Sequence, residues 1–131
     1  MQTTRDLAFY RFEQARQNLS SAEILEQAAD YKGATNRSYY AVFHGIRAVL
    51  ALENLDFKSH SAVISHFRKN YIKAGTFPVE MSHIVGALFQ VRNDSDYQDF
   101  FLISKEEVVE QLASAKFFLD EVEKFLQQSC S

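Results

Sequence analysis

Apolar positions recur along most of the chain with a period near 3.6, the pattern of helices that each bury one face. Over residues 4–29 the stripe is Ala8, Phe12, Ala15, Leu19, Ala22, Leu25 and Ala29, which predicts a long first helix closed by the Asp30 to Gly33 segment. A second helix is predicted over 34–53 and is patterned on three sides. One row is aromatic and aliphatic (Tyr39, Phe43, Ile46, Leu50), one is small (Ser38, Ala41, Gly45, Ala48) and one is amphipathic (Tyr40, His44, Arg47). A helix that is apolar or small on most sides belongs at the centre of a fold. Gly45 costs about 1 kcal/mol relative to alanine in a helix interior, so its use there points to close approach by another helix.

A third helix, over 59–73, carries most of the nearby cations, and "KAGTFP" after it offers Gly75 as a stop and Pro78 near the next start. The fourth is expected from Val79 to Arg92 with Met81, Ile84, Leu88 and Val91 inward. The last opens at "SKEE", where Ser104 is placed to cap the free N–H groups and Glu107 to reach back, with Val108, Leu112, Ala115, Leu119, Val122 and Leu126 as its buried stripe. One proline and four glycines are too few for a β protein rich in tight turns. The expectation is an all-α fold, an up-and-down antiparallel bundle of four to five helices, as one domain over residues 1–131.

Composition narrows the class. Apolar residues make up 47% and aromatics 14% of the chain, which excludes a disordered polypeptide. No apolar run approaches the ~18 residues that a membrane span needs, and Asp6, Arg11 and Glu13 interrupt the start where a secretory signal would be apolar. A cytoplasmic protein with no membrane association is expected. The only cysteine, Cys130, allows no intramolecular disulfide and no thiolate cage for a metal, and speaks against redox chemistry.

The net charge of −3 is unevenly spread. Phe57 to Val79 contains Lys58, Arg68, Lys69 and Lys73 and no acid, +4 against −7 for everything else. A phosphate-bearing partner would look there first, although a basic run is most often a solvated helix face.

Familiar catalytic signatures are missing. His44, His60, His66 and His83 form no H-E-x-x-H pair, so structural roles outweigh zinc binding. The Asp94, Asp96, Asp99 series has no glycine at its sixth position and puts Lys105 where a calcium loop needs a glutamate. No glycine-rich phosphate loop and no nucleophile elbow is found. No metal and no cofactor is expected. What remains is "VRNDSDYQ" (91–98), read as the end of the fourth helix running into a loop, together with the Tyr40, His44, Arg47 row. On residue types alone, an arginine among carboxylates is more often an ion-pair network than a site.

Four segments together resemble a known family: "NRSYYAVFHGIRAVL" (36–50), "KSHSAVISHFRKNYIKAGTFP" (58–78), "RNDSDYQ" (92–98) and "ISKEEVVEQLASAKFFLDEVEKFL" (103–126). The chain is similar to HEPN domains, the higher-eukaryote and prokaryote nucleotide-binding superfamily, and to their short stand-alone prokaryotic branch. The resemblance implies a helical bundle, a homodimer, and a minimal nucleotidyltransferase partner in a toxin and antitoxin pair. It also implies that active members are metal-independent endoribonucleases whose signature is an arginine, four to six residues, then a histidine. Arg92 and Asn93 match that signature, but the permitted histidine positions hold Tyr97, Gln98 and Asp99. In partner-controlled members a tyrosine two residues beyond the histidine accepts a nucleotidyl group; Tyr97 lies five residues from Arg92, where about seven would match.

Three readings follow. The leading one is a catalytically degenerate HEPN protein that dimerises and binds a nucleotidyltransferase or a nucleotide. Arg92 faces the anion, Asp94 and Asp96 orient it, Tyr97 stacks or hydrogen-bonds, and Asn93, Tyr40 and Arg47 complete the binding surface. The second is a metal-independent ribonuclease in which Arg92 works with His44, His60 or His83. The third is a structural association module in which Arg92 only pairs with Asp94, Asp96 or Glu80. RNA binding through four formal charges is expected to be weak and salt-sensitive.

Overall fold

The computed structural model describes residues 3–129; Cys130 lies outside them. The elements are α1 (Thr4–Gln27), α2 (Tyr31–Ala51), α3 (His60–Phe67) running into a π-helical turn (Arg68–Ile72), α4 (Glu80–Tyr97) and α5 (Lys105–Ser129). Among the described residues there is no strand, and no helix is long and apolar enough to cross a membrane.

Each start has a local cause. Thr3 and Asp6 form a capping box at α1, Asp30 caps α2 through the Gly33 N–H, and Ser59 caps α3 through the Ala62 N–H. Ser104 Oγ accepts from the Glu107 N–H at 3.1 Å while Glu107 reaches back to Ser104, the reciprocal cap expected for α5. α1 stops at Gln27 rather than 29: Ala29 swings to φ 62° and Asp30 is already the cap of α2, so that helix begins three residues earlier than its apolar pattern indicates.

α2 is the central element, packed against α1, α3, α4 and α5. Tyr39, Phe43, Ile46 and Leu50 are buried, as are Ser38, Ala41, Gly45 and Ala48. A Cβ on Gly45 would come within 2.8 Å of Leu119 Cδ2, so the glycine lets α5 lie close. Phe67, Tyr71, Phe77, Phe118 and Phe125 stack at centroid separations of 5.1 to 6.3 Å and join α3, the π turn and α5.

Two elements depart from the periodic reading. The third helix is not uniform: at Arg68 the backbone widens, with the Lys73 N–H donating to the Arg68 carbonyl at 2.8 Å. The wide turn lets adjacent Tyr71 and Ile72 both face the core. α4 continues five residues beyond Arg92, so "RNDSDY" is helix and not loop. Its buried face is Met81, Val85, Leu88 and Ser95, with Ile84 and Val91 only half-buried.

Candidate functional site

Because α4 runs on to Tyr97, residues 92 and 96 fall one turn apart on one face. Arg92 Nε lies 3.0 Å from Asp96 Oδ2, but its N–H does not align on that oxygen, so the contact is charge attraction without a well-formed hydrogen bond. The other nitrogens reach further. Nη2 donates to Tyr40 Oη at 3.1 Å and Nη1 to Asn93 Oδ1 at 3.4 Å. The guanidinium carbon sits 5.5 Å from the Tyr39 ring centroid and 5.6 Å from that of Tyr40, within cation–π range of both.

Those two tyrosines carry the site on to histidine. Tyr39 Oη and His60 Nδ1 are 2.8 Å apart, the His60 ring stacks on Phe43 at 4.0 Å, and it meets Tyr40 edge-on at 5.9 Å. Burial holds the Tyr39 phenol well above its ordinary pKa despite the cationic Arg92, so it stays protonated. Burial, followed by Arg92 and Arg47, pushes the His60 pKa down. His44, 6.1 Å from Tyr40 by ring centroids, is pushed down by burial and then by Arg47, Arg11 and His60, and its Nδ1 is buried without a hydrogen-bond partner. Both imidazoles are therefore neutral near pH 7.

The remaining candidates are dispersed. Arg47 turns away to Asp56 at 2.9 Å, a carboxylate that also lies 3.5 Å from Arg11. Asp94 accepts from Gln90 at 2.9 Å and does not pair with Arg92, and neither does Glu80. Tyr97 is 81% exposed and begins a surface run with Phe100 at 95% and Leu102 at 92%. His83 is exposed and makes none of these contacts. Among the described residues no group of three or more His, Cys, Asp or Glu stands close enough to hold a metal ion. The Tyr39 and His60 pair escapes a periodicity reading because its partners are 21 residues apart; the hint was a histidine directly after the Ser59 cap, facing back toward α2.

The described residues thus form a five-helix bundle with an arginine near the end of its fourth helix, held by two tyrosines of the central helix. The model of the HEPN domain family matches residues 8–125, and the chain belongs to that family. It is 31% identical over 113 residues to a "UPF0332 protein" of Thermotoga maritima, covering 86% of each chain. Two Methanocaldococcus jannaschii proteins, each named "Putative toxin", are 31% and 32% identical over 114 residues. The matches cover 87% of this chain in both cases, and 78% and 84% of the relatives.

Proposed function

We propose that this HEPN protein acts by association: a catalytically degenerate member that forms a homodimer and docks a minimal nucleotidyltransferase, as one half of a toxin and antitoxin-like pair. The observation that carries the reading is Tyr97. Where the family signature asks for a histidine, the chain has a phenol that is 81% exposed and followed by exposed Phe100 and Leu102. A phenol lacks the imidazole nitrogen with which a histidine exchanges a proton, whereas exposed aromatic and aliphatic side chains close together in the chain suit a protein interface. Arg92, tied to Tyr40 and Asp96, stiffens the helix end that presents them. The two relatives named "Putative toxin" support the pairing.

Sedimentation and nuclease assays test this. The wild type is expected to sediment as a dimer at micromolar concentration, and Phe100→Glu with Leu102→Glu to shift it to monomer or to abolish capture of a nucleotidyltransferase. A monomeric wild type that binds no such partner overturns the reading. Purified protein should lack the ~10²- to 10⁴-fold assistance that proton transfer gives to attack by a ribose 2′-hydroxyl. Tyr97→His restores a histidine at the family spacing and is expected to gain metal-independent cleavage.

One observation favours a second reading, a metal-independent endoribonuclease. Arg92 and neutral His60 pack on the same two tyrosine rings, a phosphate-facing cation beside a candidate base. Robust cleavage by wild type in chelator, lost in both Arg92→Ala and His60→Ala, would replace the first reading with this one.

A further inference from the structure

The basic segment folds into a feature that neither reading uses. Arg68, Lys69 and Lys73 line a groove of about 690 Å³ between the π turn and the start of α4, with Ile72 and Val79 as its apolar surface. Val79 is 61% exposed, an aliphatic side chain left uncovered beside the cations. No carboxylate stands within 4 Å of any of the three among the described residues, and Glu80, the acid of the first turn of α4, does not line the groove. Three uncancelled positive charges thus share one hollow in a chain whose net charge is −3.

Beside the groove, a smaller cavity of about 100 Å³ opens in the seam between α3 and α4, walled by Ile64, Val85 and Phe89. Arg68 and Ser65 line both spaces and so stand where the two meet. Arg68 is aimed rather than loose: Nε donates to Ser82 Oγ at 3.1 Å and Nη2 to the Ser82 carbonyl at 2.9 Å. Both acceptors are neutral, so the guanidinium is oriented with its charge intact, and Nη1 is left over for a ligand. Gly86 makes the room, since a Cβ there would lie 2.8 Å from Arg68 Nη2.

Shape and charge together select the occupant. A bilayer takes up apolar side chains that protrude, whereas here the apolar surface lies in a hollow. A long polyanion meets the acidic remainder of the chain, a repulsion that a short segment seated in the groove avoids. The seam has room for a single aliphatic side chain, and the planar fork of Arg68 at its mouth matches a carboxylate. We infer that the groove docks an acidic linear segment of a partner protein. One aliphatic side chain of that segment is buried between Ile64, Val85 and Phe89 as the anchor, and aspartates or glutamates on either side of it pair with Arg68, Lys69 and Lys73. The exposed Ser65 hydroxyl, at the junction, is placed to bond the segment's main chain. The groove is separate from Arg92 and Tyr97, and the inference stands whichever reading of those residues holds.

Peptide selection tests the inference. Phage displaying short random peptides are panned on the full chain in low salt, and the enriched sequences are synthesised and measured by fluorescence anisotropy. They are expected to share an aliphatic residue among acids. Changing that residue to alanine, or the acids to their amides, should weaken binding at least about tenfold. The double variant Lys69→Ala, Lys73→Ala should weaken the same peptides at least about tenfold and, both lysines being exposed, leave thermal melting unchanged. Gly86→Ala, a favourable change in a helix, puts a methyl group in the seam against the Arg68 guanidinium and should weaken the peptides severalfold without loss of stability. Lys58→Ala, outside the groove, should leave their affinity as it is. No enrichment, enrichment of peptides without acids, or affinities indifferent to the two lysines overturns the inference. So does tighter binding, through the same lysines, of a single-stranded RNA or of phosphatidylglycerol vesicles than of any selected peptide, which would assign the groove to a nucleic acid or to a membrane.

Discussion

Arg92 and Arg68 are both half-buried and both reach across to another element, yet their surroundings differ in one respect that decides their chemistry. Arg92 has a carboxylate at 3.0 Å and two tyrosine faces. Arg68 has only the neutral oxygens of Ser82, and its neighbours Lys69 and Lys73 add charge to the same groove. Neutral acceptors orient a guanidinium without cancelling it, while a carboxylate cancels it and leaves less field for an incoming anion. The family signature directs attention to Arg92, but the uncompensated positive field is at Arg68.

The largest effect expected from this contrast is on stability. Arg92→Ala removes the partner of the Tyr40 hydroxyl, two cation–π contacts and the counter-charge of Asp96. A partly solvated cluster of that kind is worth about 2–3 kcal/mol after discounting for the exposure of Asp96. Arg68→Ala gives up two hydrogen bonds to a serine and is expected to cost about 1–1.5 kcal/mol. Urea unfolding of the two variants measures the difference. Equal costs would mean that Arg92 is no more built into the fold than Arg68.

How far the contrast was legible in the chain depended on which residues carried it. The stripes on α1, α2 and α5 were readable because packing follows the helical period: Ala8, Phe12, Ala15, Leu19 and Ala22 are buried as spaced, and Gly45 sits against Leu119. The "RNDSDY" stretch reads as a loop because acids and amides lack a period, yet it stays helical through an Arg92 to Asp96 contact one turn apart and through Ser95, which packs inward as a polar residue. The π turn could not be read at all. It arises because Phe67, Tyr71 and Ile72 all seek the core, a demand that spacing alone does not separate from a regular helix. For the site, Arg92 and Tyr40 were placed by motif and row, while His60 depended on a tertiary contact with Tyr39.

A pH series sharpens the comparison, because His44 and His60 both belong to the Arg92 side. Each has a folded-state pKa below that of an unfolded histidine, about 6.5. The unfolded chain then binds more protons once the pH drops under that value. Stability is complete above about pH 6.5 and falls as the pH is lowered from there toward the depressed folded values. Urea midpoints between pH 7.5 and 5.5 should decline for the wild type and flatten in a His44→Gln, His60→Gln double variant. Arg92→Ala removes one of the cations that depress His60, so its slope should be shallower than the wild type's. Arg68→Ala should keep the wild-type slope, and a change in its slope would show that the two arginines share one electrostatic environment.

The smallest stability change, and the most direct test of the contrast, is Asp96→Asn. Asp96 is 32% exposed and its contact with Arg92 Nε is poorly aligned, so by the usual worth of a solvated one-turn ion pair its loss should cost about 0.5 kcal/mol and no more than about 1. The electrostatic consequence is larger than the energetic one. With an amide at position 96, Arg92 keeps Tyr40 and both ring faces but loses its counter-charge, which puts it in the condition of Arg68. Inorganic triphosphate should then gain a salt-sensitive site in Asp96→Asn that is absent from wild type and is removed again in Asp96→Asn with Arg92→Ala. If triphosphate binding is identical in wild type and Asp96→Asn, the carboxylate is not what quiets Arg92. Enclosure by Tyr39 and Tyr40 would then account for it, a conclusion that Tyr40→Ala on the same background would test.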